Sequence, residues 1–166
     1  LLLAEQGFEV FIVEKEKELG GNIRHIYKTL ENRDVQYFLN RTIEKIKNNK
    51  LIKIYTDTRI EQITGFVGNY KTRIRTGESE IQEFEHGVVI VATGAQEYKP
   101  SEYQYGKDSR IITQRELEEK IFNHLTIQPF NYKTIVMIQC VGSRDDERKY
   151  CSRICCSQAI KNALSI

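Results

Sequence analysis

The chain's four cysteines, Cys140, Cys151, Cys155 and Cys156, all lie in "CVGSRDDERKYCSRICC", within a chain of 166 residues. Thiols gathered this way can form a disulfide, cycle as a redox pair or ligate metal. Adjacent Cys155 and Cys156 would close a strained disulfide, and a redox pair needs two thiols, not four. Metal ligation remains, in two forms. Structural zinc usually presents two short Cys-x2-4-Cys knuckles well apart in sequence. Here one thiol ends an apolar run and three stand at the start of a helical pattern. On an α-helix of about 3.6 residues per turn, Cys156 points roughly 100° away from Cys155. That divergence suits a polyhedral iron–sulfur cluster held by four thiolates better than one ion. Spacing alone leaves both open.

A second group of residues suggests a nucleotide cofactor. Glu14 ends the apolar run "FEVFIVE", and an acid at that place in dinucleotide folds accepts hydrogen bonds from ribose hydroxyls. Gly20 and Gly21 follow six residues later, where the absence of a Cβ lets backbone approach a ligand. Thr93 and Gly94 close "GVVIVATGA", at the C-terminal edge of a sheet where ligands lie in open α/β folds. A solvated glutamate and an ordinary turn are the alternatives for the first two.

The elements that must position these residues follow from periodicity. Leu1 to Gln6 reads as the end of an amphipathic helix with Gly7 at its C-cap. Phe8 to Glu14 reads as a buried parallel strand. Arg33 to Lys50 carries Val35, Phe38, Leu39, Ile43 and Ile46 at helical spacing. The period then changes to two across residues 51–87, which predicts a small antiparallel meander. "GVVIVATGA" and "YKTIVMIQCVGS" read as further buried strands, the second delivering Cys140 at its end. Thr113 and Glu116 have capping-box spacing, and "CCSQAIKNAL" predicts a helix. These elements make an α/β fold of the doubly wound, Rossmann-like type. Both ends of the chain read as helices caught mid-course, so an internal piece of a longer polypeptide is expected.

Composition narrows the function classes. Net charge is +2 and acids and bases interleave, which offers no electrostatic footprint for nucleic acid, and no apolar run has the length of a membrane span. His25, His86 and His124 read as surface or turn residues without partners at metal-ligand spacing. Residues 144–149 read as a hydrated loop. No serine–histidine–aspartate set or paired carboxylates stand out, so no catalytic residue is assigned.

"FIVEKEKELGG", followed by a helix, a meander and "VVIVATGA", resembles the FAD-binding domain of the pyridine nucleotide-disulfide oxidoreductase superfamily. "VMIQCVGSRDDERKYCSRICCSQAIKNAL", with "GFVGNY" and "VVIVATGAQEYKP", resembles the A subunit of heterodisulfide reductase along essentially the whole chain. The resemblance implies that residues 1–166 are a fragment of one FAD-binding α/β domain lacking its first strand and glycine-rich turn, and an oxidoreductase component with two cofactors. FAD would lie along Glu14, Lys15, Gly20, Gly21, Asn22, Ile60, Ala92, Thr93 and Gly94. A [4Fe-4S] cluster would be bound by Cys140, Cys151, Cys155 and Cys156, in a strand-loop-helix over 133–166. It further implies flavin-based electron bifurcation coupled to reduction of a CoB-CoM type disulfide. The implied partners are other heterodisulfide reductase subunits, a hydrogenase, formate or pyridine-nucleotide donor module, and ferredoxin, in the cytoplasm and without membrane insertion. The rival readings are an NAD(P)H-dependent flavin disulfide reductase with redox thiols and a zinc-stapled scaffold.

Overall fold

The first helix stops where its sequence says it must. α1 spans Leu2–Glu5, and the Gly7 and Phe8 N–H groups donate to Ala4 and Leu3 carbonyls at 3.0 and 3.1 Å, the paired bonds of a Schellman motif. The computed structural model describes residues 1–78, 80–122 and 133–166. The chain divides into two compact units, one of residues 1–22 and 37–94, the other of 23–36 and 95–166.

The first unit is built on a β–α–β connection. β1 (Val10–Val13) and β2 (Ile52–Tyr55) pair in parallel, with Val10 opposite Ile52 and Val13 opposite Tyr55. Between them in sequence runs α2 (Val35–Lys47), whose Leu39 is buried, as the helical spacing predicts, while Phe38 is exposed. β3 (Thr58–Phe66), β4 (Asn69–Thr76) and β5 (Glu80–His86) form an antiparallel sheet in that order. Thus "LIKIYT" leaves the predicted meander for the parallel pair, and the meander proper begins at Thr58. Alternation in twos is the same in either kind of ladder, so periodicity could not separate them. A bulge interrupts β3 between Ile60 and Gln62. Phe84 of β5 stacks on Phe11 of β1 with centroids 4.3 Å apart, and Ile74 is wholly buried. Parallel and antiparallel sheets with helices give the α/β class expected.

Two predicted strands are absent. Residues 88–94 and 134–139 carry no regular secondary structure, and Val91 and Val136 are 79% and 78% exposed. Apolar content does not by itself make a strand: the backbone groups need a neighbour to bond, and none of the described strands flanks these segments.

The second unit is held by two helices. α3 (Gln114–Phe122) opens with a complete capping box, in which the Thr113 N–H donates to Glu116 Oε2 at 2.7 Å and the Glu116 N–H to Thr113 Oγ1 at 3.2 Å. α4 (Cys155–Ser165) packs on it, and Leu117 of α3 and Ala159 of α4 are both buried. The polar contacts between them centre on Glu118. Its Oε1 accepts the Tyr27 N–H at 2.8 Å and lies 2.5 Å from Lys161 Nζ, while Gln158 Nε2 donates to Oε2 at 3.3 Å. Asn162 Nδ2 donates to the Gln114 carbonyl at 2.9 Å. A buried charge needs such partners to be tolerated, so Glu118 ties the segment at Tyr27 and α4 to α3.

Candidate functional site

The four cysteines all belong to the second unit. Cys140 ends the apolar run and has φ +62°. Its carbonyl accepts the Ser143 N–H at 3.1 Å, closing a turn. The loop beyond is internally bonded: Asp145 Oδ1 accepts the N–H groups of Glu147 and Arg148 at 3.0 and 2.6 Å, and the Arg144 N–H donates to the Tyr150 carbonyl at 3.2 Å. That last bond returns the chain beside its own start one residue before Cys151. The predicted hydrated loop is exposed, as expected, but is also a folded connector between two cysteines. Cys151 precedes the helix, and Cys155 and Cys156 occupy its first turn.

These placements put all four thiols in one loop and helix start of the second unit. Cys155 pushes the Cys156 thiol up from its usual range, aided by burial, and Cys140 and Cys151 act in the same direction. Cys140 and Cys155 are half-buried, and Cys151 and Cys156 are exposed. The Arg153 N–H donates to Cys151 Sγ at 3.3 Å, the kind of bond that steadies thiolate charge.

Among the described residues, no three His, Cys, Asp or Glu side chains are disposed about a single metal ion. One zinc ion draws its thiolates to about 2.3 Å of a point. The thiolates of a cube each bind a different iron and stay further apart.

The residues expected near a flavin lie in the first unit. Glu14 follows β1, and its Oε1 accepts the Glu16 N–H at 2.9 Å. Its backbone is bonded on both sides, the N–H to Tyr55 and the carbonyl to the Thr58 N–H, at 2.8 and 3.0 Å. The acid is thus fixed at the edge of the parallel pair. Lys15 is exposed beside Glu16. Gly20 and Gly21 have φ +116° and +48°, conformations that a side chain would strain, and no atom stands within 4 Å of where a Cβ on Gly21 would be. Asn22 continues into the 3-10 turn Gly21–His25. Ile60 is half exposed on β3. Ala92, Thr93 and Gly94 lie on the segment after β5. The structure thus groups Glu14 with the β2–β3 junction and leaves Ala92, Thr93 and Gly94 without a defined contact to it.

Two of the histidines have partners: His25 Nδ1 lies 2.8 Å from Glu119 Oε1, and His86 Nε2 2.7 Å from Thr72 Oγ1. His124 falls outside the described residues. Sequence reading missed the Glu118–Lys161 pair. Its trace was there, in polar Gln158, Lys161 and Asn162 on the face of α4 that also carries buried Ala159.

No protein-family model matches the chain. Among curated proteins, it is 27% identical to the first iron-sulfur A subunit of the CoB–CoM heterodisulfide reductase of Methanopyrus kandleri, over 97% of this chain and 38% of the relative. It is 25% identical to the A subunit of the H2:CoB-CoM heterodisulfide,ferredoxin reductase of Methanothermobacter thermautotrophicus, with the same coverage. The corresponding A subunit of the ferredoxin/F420H2-dependent reductase of Methanosarcina acetivorans is also 25% identical, over 98% of this chain and 32% of its own. The chain thus spans well under half the length of these relatives. The first match extends over 256 residues, more than this chain's 166, so that relative carries sequence inside the matched region that this chain does not have. Among solved structures, L-proline dehydrogenase from P. horikoshii covers 56% of this chain and 19% of its own, with a TM-score of 0.49 and 23% identity, a likeness too loose to weigh. Over 97% of its length, then, the chain is similar in sequence to the A subunits of heterodisulfide reductases.

Proposed function

We propose that this chain is part of an electron-transfer subunit of a heterodisulfide reductase-type complex. Cys140, Cys151, Cys155 and Cys156 hold a [4Fe-4S] cluster, and Glu14, Lys15, Gly20, Gly21, Asn22, Ile60, Ala92, Thr93 and Gly94 line a FAD site. The observation that supports the reading is the placement of all four cysteines in one turn, loop and helix start of the second unit. The bound groups supply two-electron and one-electron transfer; the chain's residues bind and orient them.

Each residue's part follows from its place. The Cys140 turn and the first turn of α4 present thiolates from two directions. The Arg153 N–H stabilises charge on Cys151 Sγ. Glu14, fixed by β1 and β2, offers carboxylate oxygen to ribose hydroxyls, and the open space at Gly21 admits a ligand against backbone. On this reading, residues 133–166 are the iron–sulfur module and 51–87 are scaffold beside the flavin. The names of the relatives support a CoB-CoM heterodisulfide as electron acceptor, ferredoxin as acceptor in one relative and as donor in another, and sister subunits as partners. The further reading is electron bifurcation at the flavin, with a hydrogenase, formate or pyridine-nucleotide module as donor. The cytoplasm is the proposed setting, because ferredoxin is a soluble carrier. No described helix is long and apolar enough to cross a membrane.

The test is a redox titration of the anaerobically purified protein, followed by flavin absorbance and by electron paramagnetic resonance. Both a flavin and a reducible cubane signal are expected, and reduced flavin should be reoxidised by added ferredoxin. A flavin accompanied only by thiol–disulfide changes would instead mark a thiol-dependent flavin reductase.

A further inference from the structure

Gly142, two residues after Cys140, carries its own constraint. Its φ is +70°, and a Cβ built on it would overlap Cε1 and Cδ1 of Tyr98 and stand 2.7 Å from Cζ. The Tyr98 ring therefore rests on the bare α-carbon of the cysteine turn. Arg148 closes the other side. Its guanidinium lies 4.9 Å from the Tyr98 ring centroid, a cation–π contact, and its Nη1 donates to the Gly142 carbonyl at 3.3 Å. Arg148 is itself fixed to the loop through Asp145, whose Oδ1 accepts its N–H at 2.6 Å. Ring, glycine and guanidinium thus form one stack that joins the Cys140 turn to the connector leading to Cys151.

We infer that Tyr98 is a positioning residue for the cluster: its ring, through Gly142 and Arg148, sets where Cys140 stands relative to Cys151. This rests on the assignment of the four cysteines as ligands. The ring face is the working part, because the hydroxyl makes only 3.4 Å contacts with the Glu102 carboxylate. Losing a group that orients a metal's ligands changes metal affinity about 10–100-fold.

The experiment compares wild type, Tyr98→Phe, Tyr98→Ala and Arg148→Ala, purified anaerobically with their clusters. Three quantities are read: the rate of iron loss to a chelator, the electron paramagnetic resonance spectrum of the reduced cluster, and its midpoint potential. Tyr98→Phe should match wild type. Tyr98→Ala should lose iron about 10–100-fold faster with an altered spectrum, and Arg148→Ala should alter the spectrum in the same sense. Should Tyr98→Ala fail to fold, Tyr98→Leu, which fills the space but offers no ring face to Arg148, is expected to show the same change. A wild-type cluster with unchanged spectrum and iron loss in Tyr98→Ala or Tyr98→Leu overturns the positioning role alone. Wild-type protein that holds no iron overturns it together with the assignment of the cysteines.

Discussion

Lys161 Nζ lies 2.5 Å from Glu118 Oε1, and their side chains are 8% and 0% exposed. Removing one member of such a pair leaves a buried charge uncompensated, which typically costs about 3–5 kcal/mol. Lys161→Met should lower stability by about that much in denaturant unfolding. Glu118→Gln combined with Lys161→Met removes both charges and keeps an acceptor for the Tyr27 N–H, so the double variant should be more stable than Lys161→Met alone. A double variant no better than the single would mean that the ion pair is not what fastens α4 to α3.

The capping box on α3 gives a second prediction. Thr113→Ala removes the side-chain acceptor for the Glu116 N–H and should cost about 1 kcal/mol. Glu116 also titrates abnormally. Burial pushes its carboxyl up, but the Thr113 N–H, the Tyr105 hydroxyl and Lys99 together outweigh it and hold the group below its ordinary value of 4.5. A carboxylate depressed in the folded state contributes stability that is present above its unfolded pKa and lost as pH falls through the folded value. Stability should therefore decline below about pH 4.5, and Glu116→Gln should flatten that decline. An acid limb of equal steepness in Glu116→Gln would remove Glu116 from the explanation.

How much was legible in advance depended on the range of the interaction. The capping box and the glycine stop of α1 were readable because their partners lie three to five residues apart, within one turn of chain. The cysteine spacing was readable for the same reason, since the thiols sit on one local loop and helix start. The strands expected at 88–94 and 134–139 failed as predictions because a ladder is a property of two segments, and sequence shows only one. The parallel pairing of Ile52–Tyr55 was hidden for a related reason, as alternation does not reveal direction. Glu118 and Lys161 come from separate helices; polar residues on α4 hint at a buried partner, but only the packed fold says which one.

The unpaired apolar segments predict behaviour in solution. Exposed Val88, Ile90, Val91, Val136 and Ile138 form apolar, unladdered backbone, which is prone to pair with other chains. Residues 1–166 alone should associate, as light scattering would show, and Ile90→Lys with Val136→Lys should reduce that association. A monodisperse monomer across a wide concentration range would show that these segments are covered.

For the flavin, Glu14 is the residue to change. Loss of a charged hydrogen-bond acceptor costs about 1.5–3 kcal/mol, so Glu14→Ala should weaken FAD retention about ten- to a hundredfold, measured as flavin content after dialysis. The glycine pair offers a contrast: Gly21→Ala strains a φ of +48° and should reduce flavin binding and stability together. Undiminished flavin in Glu14→Ala would remove that acid from the site.

The central claim is that four cysteines hold one iron–sulfur cluster, and the most direct measurement is iron, acid-labile sulfide and zinc content in anaerobically purified protein. The account predicts about four iron and four sulfide per chain, with both lost or sharply reduced in Cys151→Ser and in Cys155→Ser, and no stoichiometric zinc. One zinc per chain without sulfide, or cysteines free of metal and titrating as ordinary thiols after anaerobic reconstitution, would contradict it.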